Sequence, residues 1–456
     1  MTTTATRGPV PLRTPVSLGP RISPNAALAV IGLGAIMVIG LWWKDTFVVT
    51  GLGAWLTNAG RITGLLGGYA VVVLLALMAR VPALERGVGT DRLARWHAMG
   101  GRYTITLVVA HTLLIIWGYA VTAHTGVVHE TSTLLTGYPD VLMATVATGL
   151  LVAVGVVSAR AARRRVRYET WHFVHLYTYL AIALAFSHQF ATGADFISNR
   201  PARLFWAAMY IAVGATLLWF RVVTPIIDFA RHDLRVASVQ RESAEVISIY
   251  ISGRNLDVLR AEPGQFFRWR FLTRQLWWAA NPYSLSAPPA ANLLRITVKI
   301  AGEHSAALLA LRPGTRVLAE GPSGAFTAAL RRRRKVLLLA GGVGITPIRT
   351  LFETLPGAPG DIVLLYRTAR PEDAVLRHEL DRIAAQRGAA VHYLVGPPRR
   401  GATDHLSASR LQRLIPDISE RDVFLCGPEA MMTAAERSLR QTGVPGRHIH
   451  HESFAF

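Results

Sequence analysis

Four histidines in two apolar stretches carry the strongest chemical signal in the sequence. One stretch reads RWHAMGGRYTITLVVAHTLLIIWGY and holds His97 and His111; the other reads YETWHFVHLYTYLAIALAFSHQF and holds His172, His175 and His188. His97 and His111 are 14 residues apart. That is close to four helical turns, so both rings leave one face, about 21 Å apart along the axis. His175 and His188 are 13 residues apart, a rise of about 20 Å. Ionisable side chains inside a bilayer are costly and therefore functional candidates. Two neutral imidazoles facing each other across a gap can fill both axial positions of a haem iron. The spacing thus predicts two pairs at two depths, His97 with His175 and His111 with His188, holding two haems. On an ideal helix His175 and His188 point about 140° apart, so a local distortion or a long side-chain reach is required. Packed, hydrogen-bonded histidines are the alternative. The single cysteine, Cys426, excludes intrachain disulfides, a four-cysteine iron–sulfur cluster and a thiolate zinc site.

These histidines need long apolar helices to hold them. About 20 apolar residues span a bilayer core, and six stretches qualify: Asn25–Trp43, Gly60–Ala79, Gly100–Val121, Val141–Ser158, Trp171–Gln189 and Leu204–Val223. The hydrophobic share of 51% is concentrated before Pro225, and ordinary α/β composition follows. The net charge of +21, from 49 basic and 28 acidic residues, lies largely beside the apolar runs. It therefore fits the positive-inside bias and anionic lipid headgroups, not nucleic acid. Arg7, Arg13 and Arg21 precede the first span. Arg80, Arg86, Arg92 and Arg95 lie between the second and third, and Arg160, Arg163, Arg164, Arg165 and Arg167 between the fourth and fifth. The loop between the third and fourth has Glu130 and Asp140 and no basic residue. Both termini are expected in the cytoplasm, with Arg200 and Arg203 as minor exceptions. Residues 1–24 read as a disordered basic tail, and the apolar run after them as an uncleaved helix, for it has no Ala-x-Ala exit.

Six spans with histidines at these intervals on the third and fifth resemble the ferric reductase-like transmembrane domain of NADPH oxidases and ferric-chelate reductases. The resemblance implies a six-helix haem bundle over residues 25–225, with His97, His111, His175 and His188 as ligands of two b-type haems. His172 matches no ligand position. Arg61, in NAGRITGLLGGYA, matches a family arginine near the outer haem; a snorkelling interfacial arginine is the alternative.

Past Asp228 the text changes to short alternating runs, RVASVQ, EVISIYIS, QFFRWRFL, LLRITVKI and TRVLAEGP. Period-two alternation broken by Gly and Pro predicts an antiparallel barrel over residues 226–330. The strand–helix alternation of residues 331–456 predicts a parallel α/β sheet. AGGVGITP, which includes Gly341, Gly342, Gly344 and Thr346, follows an apolar strand and opens a helix. Backbone amides in such a turn can meet a pyrophosphate. The basic run Arg331–Lys335 reads as a solvated edge.

Three motifs make residues 230–456 resemble the ferredoxin–NADP reductase superfamily: NPYSLS, AGGVGITP and LCGPEAMM. The likeness implies an FAD-binding barrel and a Rossmann-like nucleotide domain. Tyr283 would stack on the flavin and Ser284 would lie near its N5, with Ser286 following in the same motif. The family's pyrophosphate-binding arginine is Asn281 here, which leaves Lys299 and Ser305 as candidate replacements. Cys426, Gly427 and Pro428 would lie beside the nicotinamide, although a small buried residue is the plainer account of Cys426. The chain ends HIHHESFAF, where Phe454, or terminal Phe456, would cover the flavin; the three histidines read as a surface strand. Arg367 and Arg370, in LYRTARPED, suit a 2′-phosphate and favour NADPH over NADH. The whole implies a cell-membrane electron-transfer enzyme. NAD(P)H, FAD and two haems would feed dioxygen or a ferric chelate on the far side, or else a membrane or periplasmic partner protein.

Overall fold

The computed structural model describes residues 20–44, 46, 49–159, 168–197, 199–397 and 404–452. Two compact units divide the chain. One comprises Ile22–Leu84 and Arg92–Val223; the other gathers Met1–Arg21, Glu85–Asp91 and Thr224–Phe456. The break at Val223/Thr224 falls where the composition shifts.

The first unit is helical. Its long helices are α1 (Pro24–Trp43), α2 (Leu52–Leu77), α3 (Thr90–Ala123), α4 (Val141–Ser158), α5 (Tyr168–Thr192) and α6 (Arg200–Leu218). Local chemistry sets their starts. Ser23 caps α1 by accepting from the Ala26 amide at 3.2 Å, with Pro24 in the first turn, and Asn199 caps α6 through the Ala202 amide at 3.1 Å. Among the described residues, five helices are long and apolar enough to cross a membrane; α5 is not one of them. Its histidines, tyrosines and glutamine dilute the apolar signal, and those same residues give it chemical interest. Helix α3 begins ten residues before the expected span and so includes His97. A short helix, Val127–Gly137, lies between α3 and α4.

The second unit holds two antiparallel three-stranded sheets and a parallel five-stranded sheet among the described residues. The first sheet, in order β1-β2-β5, uses Arg235–Arg241, Val246–Ser252 and Leu293–Lys299. The second, β4-β3-β6, uses Asn281–Ser284, Phe266–Phe271 and Val317–Ser323. Isolated bridges, Arg235 to Arg316 and Leu285 to Ile296, join them. Inward residues such as Ile247, Ile249, Phe267, Trp269 and Ile296 form their shared core, as the alternating pattern requires. The parallel sheet has the order β11-β10-β7-β8-β9, from Ile449–Glu452, Asp422–Cys426, Val336–Gly341, Ile362–Thr368 and Ala390–Val395. Strand β7 is buried at every position because helices cover both faces. The order reverses between β7 and β10, and ligands of such sheets bind outside the carboxyl ends at that reversal.

Candidate functional site

Helices α3 and α5 bring the predicted histidines together. The rings of His97 and His175 have centroids 5.9 Å apart, and those of His111 and His188 are 6.4 Å apart. Helix α5 is continuous from Tyr168 to Thr192, so the 140° mismatch is absorbed without a backbone break. Two metal–imidazole bonds of about 2 Å plus two ring half-widths of about 1 Å put facing centroids about 6 Å apart. Both pairs have that separation. The His172 ring lies beside that of Trp171, with centroids 6.5 Å apart. Trp171 also stacks on His175 at 5.2 Å.

The other ring nitrogens are largely occupied. His97 Nδ1 lies 3.2 Å from the Leu74 carbonyl, and His111 Nδ1 lies 2.8 Å from that of Gly60. His188 Nδ1 lies 3.0 Å from the Thr192 hydroxyl. An Nδ1–H that donates to such an acceptor leaves Nε2 as a lone-pair donor, the tautomer a metal needs. His175 Nδ1 is buried with no hydrogen-bond partner among the described residues. Glycines on α2 admit the His111 ring: a Cβ on Gly64 would meet its Nδ1 at 2.6 Å. Residues of this kind fit a bis-histidine haem.

A cavity of about 330 Å³ surrounds the His111–His188 pair, with Arg61, Tyr138, Thr145 and Gln189 also in its wall. Arg61 donates to Asp195 from Nη2 at 2.6 Å and from Nε at 3.3 Å. This ion pair with a buried carboxylate replaces the snorkelling alternative. Sequence reasoning did not single out Asp195; its one signal is an acidic residue just after α5, in the short helix Ala194–Ile197.

In the β4-β3-β6 sheet, the Trp269 indole donates to the Tyr283 carbonyl at 2.9 Å, and burial pushes the Tyr283 phenol up to about 12. The next residue, Ser284, is buried and its hydroxyl has no partner among the described residues. An aromatic ring beside an unsatisfied hydroxyl fits a flavin, which offers a flat face and ring acceptors. Ser286, by contrast, is committed internally. Its hydroxyl accepts from Arg295 at 3.1 Å and from Thr297 at 2.8 Å. Lys299 pairs with Glu245 at 3.3 Å, and the Ser305 hydroxyl accepts from the amides of Ala301 and Gly302 at 2.8 and 3.1 Å. Asn281 lies 2.8 Å from His304 Nδ1, a neighbour the sequence did not reveal.

The glycine turn closes on the end of β10. A Cβ on Gly344 would meet the Cys426 carbonyl oxygen at 2.2 Å and the Gly427 Cα at 2.8 Å, while Gly342 has a φ of +52° and open space around it. The turn, Thr346 at the start of helix α7 (Ile345–Thr354), and the Cys426–Gly427–Pro428 segment therefore share the carboxyl edge at the switch point. Burial pushes the Cys426 thiol well above its ordinary value, and Glu452 and Asp91 add to this. It is a buried thiol, not a thiolate. Glu452 pairs in register with Cys426, and burial first and Asp91 second push its carboxyl up. Its Oε2 has no partner among the described residues. The Glu-x-aromatic ending was the signal for it.

Arg367 donates to the carbonyls of Thr368 and Leu394, and Arg370 pairs with Asp373 at 3.1 Å; both are engaged at the end of β8. Phe454 and Phe456 lie outside the described residues, as do Arg7, Arg13, Arg160, Arg163, Arg164, Arg165 and Arg167. Two expectations hold only in part. His450 and His451 lie on the edge strand β11, with His451 exposed, but the His448 and His450 rings turn to the buried Asp422, at 2.7 and 3.6 Å. Arg331–Lys335 is the solvated edge expected before a strand, with Arg332 and Arg334 exposed, but it is also bonded to its neighbours. Its amides at Arg332 and Arg333 bond Asp422, and Lys335 pairs with Asp417 at 2.7 Å, because the start of a buried parallel strand must satisfy the polar groups around it.

Residues 63–186 match the family described as ferric reductase like transmembrane component, and residues 338–437 match the oxidoreductase NAD-binding domain. Three relatives align with about half of the chain. The ferredoxin reductase component of 3-ketosteroid-9-alpha-monooxygenase from Mycolicibacterium smegmatis is 32% identical over 238 residues, which is 49% of this chain and 65% of that protein. The glycine betaine monooxygenase reductase subunit of Chromohalobacter salexigens is 28% identical, over 49% of this chain and 64% of that one. An NADPH oxidoreductase of Mycobacterium tuberculosis is 30% identical, over 48% and 59%. The chain thus spans less than two thirds of the length of each of these relatives. The chain thus resembles a ferric reductase-like transmembrane component in its helical unit and an oxidoreductase NAD-binding domain in the unit that follows.

Proposed function

We propose that this chain carries electrons across a cell membrane, from cytoplasmic NAD(P)H through FAD and two b-type haems, to dioxygen, giving superoxide, or to a ferric chelate on the far side. The facing pairs His97–His175 and His111–His188, at 5.9 and 6.4 Å, carry this reading. When bound, flavin converts the two-electron donation of nicotinamide into single electrons, and haem relays them one at a time. The chain's own residues bind and orient. The four histidines hold two irons from six spans, and the carbonyls of Leu74 and Gly60 fix two of the ring tautomers. Tyr283 and Ser284 receive the flavin, and the Gly341–Gly344 turn with Thr346 receives the pyrophosphate. Cys426, Gly427 and Pro428 line the nicotinamide end. Arg367 and Arg370 turn toward a 2′-phosphate once it competes for them, and Phe454, or Phe456, covers the flavin. Arg61 guards the outer pair. The arginine-rich connections of the sequence keep the termini and the module cytoplasmic.

The decisive experiment is anaerobic mixing of the purified protein with NADPH, read by haem absorbance, followed by air or ferric citrate. Reduction of two low-spin haems and their reoxidation by one acceptor supports the proposal; a preparation without haem absorbance refutes it. A second reading has one observation in its favour: relatives are reductase components of oxygenases. On that reading the electrons go to a membrane or periplasmic partner, which would copurify and reoxidise the haems faster than air or ferric citrate.

A further inference from the structure

Two buried arginines from different lobes share one carboxylate. Arg295, on β5 of the flavin lobe, donates from Nη1 and Nη2 to the two oxygens of Glu379 at 2.6 and 2.9 Å. Glu379 lies on helix α8 (Arg377–Arg387) of the nucleotide lobe. Arg349, on α7, donates from Nε to the same Glu379 at 2.9 Å and from Nη1 to Glu353 at 2.6 Å. The two arginines are only 5% and 4% exposed. Arg295 spends its other donors on the flavin motif, Nε on the Ser286 hydroxyl at 3.1 Å and Nη2 on the Ser286 carbonyl at 2.7 Å. Thr297 and Ser248 extend the chain of bonds at 2.8 Å each. One hydrogen-bonded network, with buried arginines and a half-buried carboxylate, therefore runs from the strand motif Asn281–Ser286 to the helix that the glycine turn opens.

A buried ionic cluster is weak evidence for stability, since desolvation offsets most of its attraction. It does supply direction: a planar guanidinium forked onto a carboxylate fixes angle as well as distance. Lobes of one chain move relative to each other unless something holds them. Hydride transfer needs reacting atoms within about 3–3.5 Å, and a 1 Å misplacement costs about 100-fold. We infer that Glu379 is a positioning residue that locks the flavin motif to the nucleotide turn and so sets the approach of nicotinamide to flavin. This rests on the module binding both. In that step the nicotinamide C–H bond breaks and a bond to hydrogen forms on the flavin. Both electrons travel with the hydrogen, and Glu379 neither gives nor takes a proton.

The test uses the full-length protein and two variants. Glu379→Gln removes the shared charge. The triple variant Arg295→Met, Arg349→Met, Glu379→Leu replaces the cluster with apolar side chains of similar volume, a change that buried ionic triads tolerate. Flavin content, melting temperature, NADP⁺ affinity, the nicotinamide–flavin charge-transfer absorbance and the rate of flavin reduction are measured. Both variants are expected to keep flavin and to bind NADP⁺ nearly as tightly as the parent. They should lose charge-transfer absorbance and reduce flavin about 10- to 100-fold more slowly. The triple variant should melt near the parent without recovering the rate. Parental absorbance and rate in the triple variant would overturn the inference, as would a slow rate explained wholly by lost flavin or weaker nucleotide binding. A triple variant that does not fold would mark the cluster as structural and overturn it too. A parent protein that lacks flavin would instead defeat the proposed function itself.

Discussion

Gly64→Ala separates an iron-bound His111 from a merely packed one. The new methyl would lie 2.6 Å from His111 Nδ1 and 2.9 Å from its Cε1. An ordinary contact begins near 3.4 Å, so the ring must retreat by 3.4 − 2.6 = 0.8 Å. Metal–ligand distances hold to about ±0.2 Å. The ring is also tied to the Gly60 carbonyl at 2.8 Å, which opposes the retreat. Alanine improves intrinsic helix stability over glycine by about 1 kcal/mol, so a poorer helix cannot explain a loss. Gly67→Ala is the control on the same helix: its methyl would meet Val108 at 3.4 Å, an ordinary contact. Purified variants would be compared for haem per chain and by reduced-minus-oxidised spectra. Gly64→Ala should fall from two haems toward one, or shift the potential of one haem, while Gly67→Ala keeps both. Two unperturbed haems in Gly64→Ala would refute the role of His111, because a free ring at the end of a flexible side chain moves aside at little cost.

Three further outcomes are expected. His175→Ala should lose mainly the inner haem while His172→Ala keeps both; the reverse pattern in haem content would transfer the ligand role to His172. Replacing Arg367 and Arg370 together with Ala should raise the Michaelis constant for NADPH about 10- to 100-fold and leave that for NADH nearly unchanged, since charge-assisted bonds to phosphate are the stronger ones; equal effects would remove the 2′-phosphate role. Asp417 should help set acid stability. Burial pushes its carboxyl up, but bonds from Arg421 and Lys335 outweigh this and hold it at about 2, below the ordinary 3.8. Its contribution is therefore present above pH 3.8 and lost as the pH falls toward 2. Asp417→Asn should lower the melting temperature near neutral pH and flatten its fall across that window; an unchanged acid profile would count against it.

The pocket around His111 and His188 also bears on the acceptor. Arg61 is the cation the sequence placed there, but Asp195 binds it in a two-point ion pair. The guanidinium is thus oriented and its charge largely balanced within the helical unit. A pair held this way is sensitive to loss of either member, because a buried charge left alone is costly.

Helical period and bilayer thickness are properties of the chain alone. The 14-residue interval, the apolar runs and the alternating strands therefore determined, from the sequence, where the histidines sit along their helices and where the membrane part ends. Short motifs did the same for the glycine turn and the Tyr283–Ser284 strand, since both depend on local backbone chemistry. Tertiary structure decided what depends on partners distant in sequence. Whether His188 could meet His111 when its own helix spaces it 13 residues from His175 was a matter of how the two helices and their side chains are placed. Asp195 reaches Arg61 from 134 residues away, and Glu379 joins Arg295 across 84. No spacing rule marks such pairs, because each carboxylate looks like an ordinary surface charge until folding brings its arginine beside it. The same holds for the buried Asp422, which gathers the backbone amides of Arg332 and Arg333 and the His448 ring from a basic run and a histidine-rich end that are far apart in the sequence.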